Sequence, residues 1–237
     1  MKDKVLEAYS RLAKDYEYHV DTESAFNAHY ERPAMMKLLP DDMSGLAILD
    51  AGCAAGWYTE QFVNRGAAVS AIDLSPEMAE AAKRRVGGKA HIQAHDLCEP
   101  LPFEDEAFHH IVSSLTLHYI EEWTPVFREF HRVLKPGGQL LFSVHHPFMD
   151  FTLFERPDYY VREVLIDQWD KKEAGRVEVT FYRRPLQQVI NATTEPFTLE
   201  RIVEPQPVAA WPESSPAPRW YERLMKQPHF LIVQARK

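Results

Sequence analysis

Leu49-Asp50-Ala51-Gly52-Cys53-Ala54-Ala55-Gly56-Trp57 is a loop of small residues set between an apolar run, Leu46 to Leu49, and a helical pattern over Thr59 to Arg65 that Gly66 ends. An apolar run this short, with glycine at each boundary, reads as a strand buried on both faces, the kind found in parallel sheets. The alternation continues outward from it. Ala67 to Leu74 reads as a second strand, and Ser75-Pro76 as a helix start with an N-cap serine and proline in the first turn. Met78, Ala82 and Val86 give that helix a buried stripe. Further strands are expected at 90–96, 109–115 and 138–146, with a helix from Glu121 to Leu134 before the Pro136-Gly137-Gly138 turn. Strands spaced by helices in this way predict an α/β fold with a doubly wound parallel sheet and right-handed crossovers.

The flanks differ in character. Val5, Leu6, Tyr9, Leu12, Ala13 and Tyr16 recur at three- and four-residue spacing, as one face of a helix. A second helical stretch runs from about Ser24 to Leu39, with a break or kink expected at Pro33 and a stop at Pro40. Beyond Pro147, eight aromatics fall between Phe148 and Tyr182, and residues 176–184 alternate like a half-exposed strand, which reads as an insertion covering something. A helix over 185–196, strands over 197–205 and 230–237, and a proline-rich extended loop between them (Pro205, Pro207, Pro212, Pro216, Pro218) complete the chain. The expected organisation is one domain: a helical lid (1–44), a core (45–147), an aromatic-rich insertion (148–184) and a C-terminal helix with strands (185–237).

Composition narrows the function. The 237 residues, 45% hydrophobic and 26% charged, are ordinary for a globular chain, and the net charge of -8 opposes broad electrostatic binding of nucleic acid or anionic membrane. No run approaches the roughly 18 apolar residues of a membrane helix, and the N-terminus lacks the apolar stretch of a signal peptide, so a cytoplasmic protein is expected. Two cysteines, Cys53 and Cys98, make no disulfide framework and no four-thiolate zinc site.

In an open α/β sheet, ligands bind beyond the carboxyl ends of the strands near the topological switch point, where the glycine loop falls. A dinucleotide loop, G-x-G-x-x-G, needs small residues at all three positions; counted from Gly52 the third is Trp57, which opposes that reading. Asp50, Gly52, Ala54 and Gly56 instead resemble the D-x-G-x-G-x-G motif of class I S-adenosylmethionine-dependent methyltransferases, with alanine at one glycine position. Asp73, 21 residues after Gly52 at the end of the second strand, suits a ribose, and Asp96 ends the third strand. The resemblance runs from about Asp3 to Pro147. It implies a Rossmann-like sheet of seven mostly parallel strands, with S-adenosyl-L-methionine as cofactor. It further implies that Asp50 accepts from the cofactor's ammonium, and that Asp96 and the Leu97 amide meet the adenine. Gly52, Cys53, Ala54, Gly56, Leu74, Met78, Leu115 and the lid tyrosine Tyr16 would complete the cofactor site. His109 stands where the family usually has aspartate.

For the chemistry, His118, His145 and His146 fall at or after strand ends on the side of the site, where a base near neutral pH belongs. His146 and His145 are the expected bases and Tyr182 a weaker one. Adjacent in a strand, the two histidines point to opposite faces, so no metal site is expected. The expected activity is methyl transfer to an oxygen, nitrogen or carbon of a small-molecule acceptor. Two alternatives stay open: an NAD(P)-dependent oxidoreductase, and a non-catalytic protein that binds S-adenosylmethionine.

Overall fold

The computed structural model describes residues 1–209 and 216–237. The N-terminal segment forms α1 (Lys2–Tyr18), α2 (Val20–Glu23), a π-helical turn (Asn27–Glu31) and α3 (Arg32–Met36). The π turn is where the expected second helix departs from regularity. It comes one residue ahead of Arg32-Pro33, where the missing proline N–H is tolerated in the first turn of α3.

The core alternates as the sequence predicts: β1 (Ala47–Ala51), α4 (Trp57–Asn64), β2 (Ala68–Asp73), α5 (Pro76–Val86), β3 (His91–Ala94), β4 (Phe108–Ser114), a 3-10 turn (Leu117–Tyr119), α6 (Trp123–Val133) and β5 (Leu134–His145). Ser75 caps α5 by accepting the Met78 amide at 3.2 Å, and Gly87 ends it with positive φ. Two boundaries move. Helix α4 begins at Trp57 rather than Thr59, and Pro136-Gly137-Gly138 lies within β5 as a bulge, since Phe108 pairs with Leu134 but His110 pairs with Gln139.

After β5 come α7 (Pro147–Leu153), β6 (Glu163–Lys171), β7 (Gly175–Arg183), α8 (Leu186–Thr194), β8 (Thr198–Val203), α9 (Arg219–Leu224) and β9 (Phe230–Arg236). The aromatic-rich stretch is therefore a short helix and an antiparallel hairpin, β6–β7. Helix α9 was not expected, because five prolines suggested only extended chain; Pro212 lies outside the described residues.

The seven-stranded sheet has the order β3-β2-β1-β4-β5-β9-β8, with β9 antiparallel to both neighbours. The fold is a Rossmann-like, doubly wound α/β sheet. Alternate residues feed its two faces. Leu49, Ile111, Phe142 and Val144 pack against α6 and α8, while Ile48, Val112 and Leu141 pack against Met35 of α3 and Phe62 of α4. The order reverses between β1 and β4, so the switch point lies at the carboxyl ends of those two strands. Among the described residues, no helix is long and apolar enough to cross a membrane.

Helix α1 fastens the hairpin through Asp15, beside which Arg11 donates to the Ala174 and Arg176 carbonyls. Asp15, almost fully buried, accepts the amides of Lys172, Glu173 and Ala174 at 3.0, 3.1 and 2.9 Å, which satisfies the β6–β7 turn. Asp15→Ala leaves these amides without their acceptor. It is expected to cost about 2–3 kcal/mol in urea unfolding and to speed amide exchange at 172–174 ahead of the sheet.

Candidate functional site

A crevice runs along the carboxyl ends of β3, β2, β1 and β4, roofed by α1. Its floor is the quoted loop, whose backbone explains its composition. Gly52 has φ +87°, and a Cβ there would sit 2.2 Å from Thr116 Oγ1, so no side chain fits. Gly56 has φ +81°, and a Cβ would lie 2.8 Å from the Ala82 Cβ, so glycine lets α4 approach α5. Ala54 occupies the left-handed region at φ +46°, a conformation that disfavours a side chain; its amide donates to Asp73 Oδ2 at 2.8 Å, which offsets the cost.

Asp73 stands at the end of β2 with its other oxygen, Oδ1, accepting the Ser75 amide at 2.9 Å; burial pushes its carboxyl up to about 6. Asp96 follows β3. Its Oδ1 accepts the Cys98 amide, and Oδ2 pairs with Lys2 Nζ from the start of α1. Burial opposes ionisation of Asp96, but the Lys2 and Cys98 hydrogen bonds outweigh it and hold the carboxyl below its usual range.

Gly52, Cys53, Ala54, Asp73, Leu74, Asp96, Leu97, Leu115 and Tyr16 all line this crevice. Three other residues expected there do not. Asp50 is buried beneath the loop, where Oδ2 accepts Thr59 Oγ1 at 2.6 Å, and burial pushes its carboxyl up to about 7. Rather than reaching a ligand, it ties β1 to the start of α4. Met78 is fully buried against Ala8, Leu12 and Ala55, and Gly56 is used in helix packing. The Cys53 thiol is buried, which pushes its pKa well up, as suits a packed residue.

The crevice also contains Tyr9, which the resemblance places with Tyr16 and Tyr30 in the helical lid, and residues that sequence reasoning missed. Tyr9 donates to the Tyr119 hydroxyl at 2.6 Å, joining the roof to the turn after β4. At the end beside β1 and β4, the Arg32 guanidinium lies 4.3 Å from the centre of the Trp57 ring and donates to Asp21 at 2.8 Å, with Arg85 on the other Asp21 oxygen. Just beneath, Glu31 is wholly buried and accepts from Tyr58, Ser114 and Ser143 hydroxyls at 2.8, 2.8 and 2.6 Å. Nothing in the sequence marked Glu31 or its partners, which come from α4, β4 and β5.

The three expected bases are not brought together. His145, at the end of β5, stacks on His118 at 4.1 Å between centroids, meets Phe181 edge-on, and has Nδ1 3.4 Å from Asp150 Oδ1. His118 is buried, which drives its pKa well below the usual value, with His145 and Arg184 adding to the effect. His146 points the other way, as strand alternation requires. Its Nδ1 accepts the Phe148 amide, capping α7, and its Nε2 lies 2.9 Å from Glu204. The Tyr182 hydroxyl donates to Glu121 at 3.0 Å away from the crevice, and burial raises its pKa. His146 and Tyr182 are therefore structural in their contacts. So is Arg183, which donates to the carbonyls of Asp158, Tyr159 and Val161.

Comparison with known proteins agrees with the geometry. Residues 49–142 match the family model described as a methyltransferase domain. The chain is 33% identical over 60% of its length to the malonyl-[acyl-carrier protein] O-methyltransferase of Erwinia pyrifoliae, and spans about half, 51%, of that relative. It is 27% identical over its whole length to a Haemophilus influenzae protein, covering 95% of it. The crystal structure of an S-adenosylmethionine dependent methyltransferase from Mesorhizobium loti superposes with a TM-score of 0.67 at 28% identity, covering 87% of this chain and 97% of that one.

Asp50 has a consequence for stability. Its carboxyl releases a proton near pH 4 when unfolded but only near 7 when folded, so between these values the unfolded state binds fewer protons and stability falls as pH rises. Asp50→Asn removes this slope while keeping an acceptor for Thr59. In urea unfolding the variant is expected to gain on the wild type by roughly 2–4 kcal/mol from pH 4 to 8.

Proposed function

We propose that this chain is a class I S-adenosylmethionine-dependent methyltransferase, the family its glycine loop and fold resemble, and that it methylates an oxygen, nitrogen or carbon of a small-molecule acceptor. The observation that carries the reading is the placement of Asp73 and Asp96 at the ends of adjacent strands, in one crevice continuous with the loop at Gly52. The donor set suits the nucleoside. Each Asp73 oxygen accepts one backbone amide and keeps a lone pair for a ribose hydroxyl. Asp96 with Leu97 is the adenine end. The bare backbone at Gly52, where no Cβ fits, lets the chain close on the amino acid part. When bound, S-adenosylmethionine supplies a methyl group activated by a sulfonium.

The acceptor follows from strand order. The crevice spans the ends of β3, β2, β1 and β4, and the next strand, β5, ends in His145 beside His118. Tyr119 bridges the two regions, lining the crevice while its ring lies 4.3 Å from that of His118. Phe181 and Phe154 wall the far side and help exclude water. With Nδ1 turned to Asp150, His145 keeps Nε2 for a proton that the acceptor gives up. His145 thus takes the role also considered for His146. The net charge of -8 favours a small acceptor over nucleic acid or a membrane surface. The printed substrate of the Erwinia relative is a carrier-bound acid, and the matched part covers only half of that protein, so its acceptor is not carried over.

Calorimetry with S-adenosylhomocysteine is expected to show binding that Asp73→Ala weakens by at least about tenfold, while Asp50→Asn changes it little. Binding should also weaken as pH falls through about 6, where Asp73 takes up a proton and accepts less strongly. No heat with the wild type overturns the cofactor reading. Given methyl-labelled S-adenosylmethionine and a small-molecule extract, the protein is expected to label low-mass material. His145→Ala should cut this by roughly a hundredfold with S-adenosylhomocysteine binding intact. Transfer to RNA or protein instead would overturn the acceptor class.

A further inference from the structure

Arg184 follows β7 and holds the turn that leads from β4 into α6. It is 6% exposed, and its Nη2 donates to the carbonyls of Ile120 and Glu121 at 2.7 and 3.1 Å, while Ile120 itself lines the crevice beside Tyr119. The guanidinium rests over the Trp123 ring, 4.2 Å from its centre, which fixes its plane. Its Nη1 is buried and meets no acceptor among the described residues. Nor does a carboxylate of the described residues pair with it. Glu121 gives Arg184 only its carbonyl, because its carboxyl group takes the Tyr182 hydroxyl and faces Arg162 at 3.5 Å. Glu122 pairs with Arg162 at 2.7 Å, and Glu163 with Arg183 at 3.0 Å.

A buried guanidinium without a counter-ion is costly to keep, and burial, helped by Arg162, draws the Arg184 pKa down to about 10. Its surroundings share the deficit. Both ring nitrogens of His118 are buried without a partner, and so is Thr180 Oγ1, which alternation puts on the same face of β7 as Tyr182. Arg184 is near enough to His118 to lower its pKa, and His118 stacks on His145. An anion answers these needs together, accepting from Nη1 and from the N–H of a neutral His118. Charge balance sets its valence. With Arg162 and Arg183 already paired, one guanidinium of this region is left among the described residues, which matches a singly charged carboxylate better than a phosphate dianion.

We propose that Arg184 binds a carboxylate of the methyl acceptor, so that the substrate is a small organic acid held by that group and methylated at another atom. This rests on the reading of the β5 end of the crevice as the acceptor region. The carboxylate is a handle rather than the reacting group: at neutral pH it has no proton to give up, whereas His145 keeps Nε2 for one.

The test has two arms, and failure of either overturns the proposal. In the first, benzoate, phenylacetate and succinate are each compared with the corresponding amide by calorimetry, on protein saturated with S-adenosylhomocysteine. The best-bound acid is expected to exceed its amide by at least about tenfold, a comparison that needs no variant to fold. In Arg184→Gln, folded by its thermal transition and binding S-adenosylhomocysteine as the wild type does, the preference should collapse to about threefold or less, and Arg184→Lys should recover part of it. Acid and amide bound alike by the wild type, a preference kept by Arg184→Gln, or acid and amide weakened equally there overturns the proposal, since the last marks a role in holding the turn alone. In the second arm, the low-mass product labelled from the extract is expected to stay on an anion exchanger, to vanish when the carboxyl groups of the extract are esterified beforehand, and to survive phosphatase treatment. A product that has lost its charge, or one removed by phosphatase, overturns the proposal. If S-adenosylhomocysteine binds but no low-mass material is labelled, the acceptor reading fails and this proposal with it; if S-adenosylhomocysteine gives no heat, the cofactor reading fails first.

Discussion

The carboxylate of Asp73 ties two loops together, and the crevice depends on that tie. One oxygen takes the amide of Ala54 in the β1–α4 loop, and the other takes the amide of Ser75 at the cap of α5. The first of these bonds holds an alanine at positive φ, which costs roughly 1–2 kcal/mol and needs compensation. The second sets the start of the helix that Gly56 lets α4 approach. A single side chain thus decides the curvature of the loop, the entry of α5 and the position of an acceptor at the crevice wall. Burial makes its ionisation harder, and backbone amides are what keep a charge affordable there.

Three acidic side chains hold the N-terminal helices on the sheet. Asp15, Asp21 and Glu31 come from the N-terminal helices, and each engages an element distant in sequence: the hairpin turn, Arg85 of α5 and the hydroxyls at the ends of β4 and β5. Short helices of four or five residues have little stability of their own, so these polar contacts, with Tyr30 and Met35 packed beneath, keep the segment on the sheet. The segment can then cover a ligand without being part of the sheet's core. Local opening there would release the roof while the strands stay paired.

Fold and site were legible in the sequence to different depths, and the difference is physical. Strand and helix periodicity is a property of neighbours in the chain, so β1 to β5 and α4 to α6 could be read directly, as could the serine cap at Ser75. Asp73 and Asp96 were readable because the end of a buried parallel strand in a doubly wound sheet has a known address. Asp50 occupies a motif position too, yet its side chain is turned inward onto Thr59; which way a side chain faces at the strand's last turn is not encoded in spacing. His146 and His145 illustrate the same limit from the other direction. Alternation told that they diverge, but only the packing of Phe181 and Asp150 on one face, and of Glu204 on the other, decides what each ring meets. Arg32, Arg85 and Asp21 come from three elements whose meeting is purely tertiary.

Two histidines pack against one another beside the crevice, near the end of β5. His118 and His145 stack face to face, which is tolerable only if at most one is protonated, since two imidazolium rings 4.1 Å apart in a buried space would repel strongly. Burial, the neighbouring imidazole and Arg184 all act in the same direction on His118 and keep it neutral. Of the two rings only that of His145 adjoins Asp150, whose Oδ1 lies 3.4 Å from its Nδ1. The aromatic hairpin closes this region, with Phe181 edge-on to both His145 and His118.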